Sequence, residues 1–215
     1  MALLVAATPA GLAPDTCSAA AAKMDLPANQ TQLVSPTTDP LFVLLGVGVQ
    51  NYTCSASTLT YTSTGVVASL FDILCLDTTP AFAAIQTLGF DVWKALPASF
   101  TADDLGAKIG PPLLLGFHYF VTSPSGTGLS PKWDFTSTGK FAGNSSAFVL
   151  GAKVGDITAP ADPAVNIDWL ALNNAEGSLA SKIFRIDTVN GQPPTSCVAG
   201  SADISVKYTA KYFLY

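Results

Sequence analysis

The chain closes on Ile204-Ser205-Val206-Lys207-Tyr208-Thr209-Ala210-Lys211-Tyr212-Phe213-Leu214-Tyr215, and the period of this stretch decides the fold class. Ile204, Val206, Tyr208, Ala210, Tyr212 and Leu214 alternate with Ser205, Lys207, Thr209 and Lys211. Side chains two apart share one face of a strand, so the period of two reads as a β-strand with one apolar face. Branched and aromatic residues on that face suit a pleated, half-buried surface. Regularity up to Tyr215 predicts a strand paired within a sheet.

Working back from this strand, the same reading recurs. Lys182 to Thr188, Asn166 to Leu172, Ala147 to Lys153, Lys132 to Phe135 and Leu113 to Val121 are strand candidates. Turn residues punctuate them at Gly139, Gly143-Asn144, Gly155-Asp156 and Asn190-Gly191. Val66 to Leu76, the short piece Leu59 to Thr62, and Leu41 to Tyr52 with glycine bends at Gly46 and Gly48 complete the set. One clear helix interrupts it. Thr78 or Thr79 caps it, Pro80 fits its first turn, and Phe82, Ile85 and Leu88 form its apolar stripe, with Gly89 as its expected end. A second short helix is expected over Ser18 to Met24, capped by Asp15 or Thr16. Asp103-Asp104 reads as a turn or a helix start. The result is an all-β chain with one or two short helices. Its expected form is an antiparallel β-sandwich or barrel of eight to eleven strands in a single domain.

Composition agrees. Of 215 residues 49% are apolar and 12% charged, about half the usual charged fraction of roughly 25%. The acids are fourteen Asp and one Glu, the bases nine Lys and one Arg, for a net charge of −5. A clustered basic excess is absent, which argues against nucleic acid as a partner. About 40 Ser and Thr fill the charge gap, a surface that suits strands more than helices. Leu41 to Val49 is the longest apolar run, nine residues against the roughly 20 of a spanning helix, so no transmembrane segment is expected.

Cys17, Cys54, Cys75 and Cys197 stand far apart, and the single histidine, His118, is near none of them in sequence. That spacing supports no metal site and favours two disulfides, with three pairings open. Asn29, Asn51 and Asn144 each begin a glycosylation acceptor triplet. Together these features place the protein outside the cell, secreted. Residues 1–16, apolar and closing in small residues, read as a signal remnant or flexible N-terminal segment, and 17–215 as the single β domain.

Gly48-Val49-Gln50-Asn51-Tyr52-Thr53-Cys54 resembles the G-x-Q-x-Y-x-C opening of the domain-of-unknown-function family 3455, found in secreted fungal and bacterial proteins. Leu70-Phe71-Asp72, Gly116-Phe117-His118-Tyr119, Trp133-Asp134, Asp168-Trp169-Leu170, Arg185-Ile186-Asp187 with Cys197, and the closing strand follow in the family's order. The likeness covers roughly residues 30–215. It departs at a Ser/Gly/Pro-rich insertion after Tyr119, at Lys132 and at Asp168. The resemblance implies the pairs Cys54–Cys197 and Cys17–Cys75. It implies no activity or cofactor. Some fungal members carry a malate dehydrogenase label, but no strand–GxGxxG–helix unit stands here to support it.

Three readings of function remain. The first is a binding or structural module at the cell wall or outside the cell, with a glycan as its candidate ligand and Trp133, Tyr119, Trp169 and Arg185 as the ligand-binding set. Rings with polar handles suit sugars, and a lone guanidinium suits a carboxylate in the core or on a ligand. The second is a hydrolase or lyase acting on carbohydrate, with His118 as a base oriented by Asp134 or Asp72. The third is a barrel holding a small apolar ligand in the manner of lipocalins.

Overall fold

The computed structural model describes residues 17–215; the segment 1–16 and the proposed caps Asp15 and Thr16 lie outside the described residues. Eight antiparallel strands form a closed barrel in simple sequence order: β1 (Phe42–Cys54), β2 (Tyr61–Asp72), β3 (Leu114–Thr122), β4 (Leu129–Asp134), β5 (Phe148–Ile157), β6 (Trp169–Gly177), β7 (Lys182–Asn190) and β8 (Ile204–Leu214). The closing strand pairs with β7 on one side and β1 on the other, and so shuts the sheet. Closure leaves no unpaired edge, which settles barrel over sandwich.

Alternation along the strands sorts side chains into two cores. Inside the barrel lie Leu44, Leu70, Leu115, Trp133, Phe135, Tyr208, Tyr212 and their neighbours. Outside it, Val43, Leu45, Val47, Phe71, Phe184 and Phe213 form a second apolar layer. Two helices between β2 and β3 cover that layer: α1 (Pro80–Ala95) and α2 (Ala102–Ile109). The outer face of β8 is therefore not a solvated Ser/Thr face. Thr209 and Lys211 are buried beneath α1, with Thr209 donating to the Gln86 carbonyl and Lys211 paired with Asp187 at 2.9 Å. Lys207 donates to the carbonyls of Trp93 and Leu96, satisfying the open end of α1.

Two of the helical segments differ from expectation, and the start of α2 follows it. α1 runs through Gly89, because a Cβ there would stand 3.0 Å from Leu45, so glycine serves close packing on the sheet. Thr101 and Asp104 form a capping box that starts α2 at the Asp103-Asp104 pair. The Ala-rich segment forms only a short 3-10 turn, Ala19–Ala21, capped by Ser18. The disulfides join Cys17 to Cys75 and Cys54 to Cys197, the same pairs that the family likeness implies.

Candidate functional site

One end of the barrel is sealed. Phe42, Phe135 and Phe141 meet there with ring centroids 5.2–5.8 Å apart. The other end opens into a cavity of about 460 Å³, whose wall includes Gln50, Tyr52, Ser63, Asp168 and Arg185. Gly48, Gln50 and Tyr52, the spaced positions of the opening motif on β1, follow the period of two that puts Leu44 inside. Gln50 is 95% buried, yet its Nε2 forms no hydrogen bond of ordinary geometry. Tyr52 donates to the Gly191 carbonyl at 2.7 Å, and burial pushes its hydroxyl up to about 12, against the pull of Arg185.

Arg185 on β7 stands opposite Tyr212 on β8. Its Nε and Nη2 both donate to the main-chain oxygen of Asp168, at 3.1 and 2.9 Å. Among the described residues no carboxylate lies within ion-pair distance of it. Beneath the cavity the Tyr208 and Tyr212 hydroxyls bond to each other at 2.9 Å. Burial raises both phenols, so they stay protonated. At the rim, Asp156 is held by Lys153 at 2.6 Å. Burial, then the charge of Asp156, raises the Asp168 carboxyl.

The candidate catalytic pair is not assembled. His118 opposes Trp133 on the inner face, stacked on its ring at 4.2 Å, and is 2% exposed. Its Nδ1 is 2.8 Å from the Lys132 carbonyl. Burial drives its pKa down to about 3; the carbonyl bond opposes this and Arg185 adds to it. Asp134 is one residue further along β4 and therefore faces outward. There it accepts from Tyr119, from Lys132 at 2.8 Å and from the Thr136 amide. Burial works against its charge, but these bonds outweigh it and hold the carboxyl at about 2. Asp72 lies four residues along β2 from Ala68, the partner of His118, roughly 13 Å by strand rise, and accepts from the Leu74 amide. The expected His118–Asp134 or His118–Asp72 couple is corrected: two residues adjacent in register face opposite sides, and the third is too far along its strand.

The proposed ligand-binding residues are likewise dispersed. Trp133 is sealed inside the barrel, 1% exposed, and Tyr119 is engaged outside it with Asp134. Trp169 belongs to the outer layer, beside a groove between α1 and the strands. Arg185 alone of the four reaches the mouth cavity. Among the described residues no three His, Cys, Asp or Glu side chains form a metal-binding group. The apolar chamber of a lipocalin-like barrel is also corrected, since Trp133, Phe135, Tyr208 and Tyr212 fill the interior. An apolar cleft of about 510 Å³ lies instead outside the sheet, under α1 and α2. Gln50 was the residue that sequence reasoning missed. Its signal was a polar side chain at an inward position of an otherwise apolar alternation.

The fold and site thus define an up-and-down eight-stranded barrel, closed at one end and open to a mixed polar and apolar mouth at the other. The chain belongs to the family described as protein of unknown function (DUF3455), which it matches over residues 35–215. No curated protein and no solved structure matches it.

Proposed function

We propose that this protein is an extracellular binding module that takes a small molecule into the barrel mouth. The observation that carries this reading is the cavity of about 460 Å³ at the open end of a barrel whose interior holds large buried side chains. Its size falls within the roughly 300–1,000 Å³ of small-molecule sites, and its wall mixes apolar side chains with a few convergent polar groups. Two disulfides support an oxidising, extracellular setting. No helix among the described residues is long and apolar enough to cross a membrane. Asn29 and Asn144 are exposed and open to a glycan, whereas Asn51 lies within β1 with its Oδ1 bonded to Ser205. Because Trp133, Trp169 and Tyr119 form no shared platform, the proposed ligand is a small molecule in the mouth, not a polysaccharide on a flat face.

The test is a thermal-shift screen of small metabolites and sugars against the wild type and a Ser63→Trp variant, which plugs the mouth from its exposed rim. Ligands that raise Tm in the wild type and not in the variant are expected. Equal shifts in both proteins, or none in either, would overturn the reading.

A further inference from the structure

The mouth has a surplus of donors. Arg185 carries five N–H groups; two of its nitrogens share a single carbonyl oxygen, and the Tyr212 hydroxyl is its other polar neighbour. Gln50 Nε2 has no acceptor at ordinary hydrogen-bond geometry, the Tyr208 hydroxyl being its nearest polar neighbour. The Tyr212 hydroxyl stands beside Arg185 and the Tyr208 hydroxyl beside Gln50, so the bonded pair of phenols links the two ends of the floor. Phenols that stay protonated bring two hydrogens, of which their mutual bond uses one. Buried donors without acceptors are costly, and proteins normally satisfy them. The charges tell the same story. Lys153 and Asp156 neutralise each other at the rim, while among the described residues no carboxylate lies within ion-pair distance of Arg185, which attracts that of Asp168 only from further off. The Asp168 carboxylate is the remaining rim anion.

We infer that the ligand of the mouth carries a carboxylate, which is received between the Arg185 guanidinium and the Gln50 side-chain amide. This rests on the mouth being the binding site and adds the chemical class of the ligand. Guanidinium and carboxylate match in shape as well as charge. A neutral amide or hydroxyl of the same size leaves the guanidinium without a counter-charge. Arg185 is the single arginine, so its Nε–H gives one resonance that reports directly on the site.

The experiment titrates the whole protein with two matched pairs, benzoate against benzamide and glucuronate against glucose, while following the Arg185 Nε–H and Gln50 amide resonances. At least one carboxylate is expected to move both signals and to bind at least tenfold tighter than its neutral partner. Arg185→Gln should remove that advantage, a loss of ~10–100-fold for a charge-assisted bond. Gln50→Leu deletes an amide whose Nε2 makes no hydrogen bond of ordinary geometry, so it should fold normally and weaken the carboxylate severalfold. That variant decides the matter if Arg185→Gln does not fold. Asp168→Asn, which removes the rim charge, should strengthen binding. Equal binding of neutral and charged partners, indifferent to Arg185→Gln and Gln50→Leu, would overturn the carboxylate and leave the mouth standing. No movement of either resonance with any of the four probes would also overturn it, while the Ser63→Trp comparison judges the mouth separately.

Discussion

His118 is sealed between Trp133, Phe120 and Tyr212, and its environment decides its ionisation. Its pKa of about 3 in the fold lies well below the 6.5 of an open imidazole. Between those values the unfolded chain binds the extra proton, so stability falls as pH drops from 6.5 towards 3. The full window is worth on the order of 5 kcal/mol at about 1.4 kcal/mol per unit. The imidazole resonances are therefore expected to stay flat from pH 8 to 4, and His118→Gln should flatten the loss of stability across that range. A titration near 6.5 would contradict the buried placement. Asp134 acts in a separate window. Its carboxyl is depressed to about 2, so its contribution is complete above its ordinary 3.8 and is lost as pH falls through 2. The identities of these residues are plain in the sequence, but their partnership is not. Alternation places His118 and Asp134 on opposite faces only once the β3–β4 register is known, because a shift of one residue would have joined them.

At the scale of elements, packing between strands and helices explains what local signals misjudged. Gly89 would end an isolated helix, yet here it lets α1 lie close on Leu45. Gly46 on β1 makes room for a ring: a Cβ there would stand 2.4 Å from Tyr212 Cε2 and must displace it. Tyr212 is held between His118 and Trp133, with centroids at 5.3 and 5.7 Å, and cannot swing aside freely. Gly46→Ala should cost ~1–3 kcal/mol by overpacking, read as a lower urea midpoint at unchanged slope. An unchanged midpoint would show that the ring is free to move. The outer face of β8 makes the same point. Its Lys and Thr pattern reads as solvated, but Lys207 and Thr209 bond backbone carbonyls at α1, and Lys211 pairs with Asp187 on β7.

For the whole molecule, closure and cross-links bear on stability together. The barrel shuts by pairing β1 with β8, strands whose contacts join the two ends of the chain. The Cys54–Cys197 bond, with a sequence separation of 143, ties the end of β1 to the segment that leads into β8. Replacing both cysteines with Ser should lower stability by ~2–5 kcal/mol in guanidinium unfolding. The Cys17–Cys75 pair spans 58 residues, and its removal should cost less by under ~1 kcal/mol if the entropy of the unfolded chain dominates. A larger loss on removing the shorter bridge would point instead to native contacts between the N-terminal segment and the outer layer.

By itself the sequence determined the β class, the order of most strands, the inward face of the last strand and the first helix. These follow from local period and turn chemistry, which each segment carries alone. Only the tertiary structure decided that the sheet closes, that one end is sealed by phenylalanines, and that Gln50 and Arg185, 135 positions apart, share the mouth cavity. Those outcomes depend on register and curvature summed over eight strands, and a short stretch of chain does not encode either.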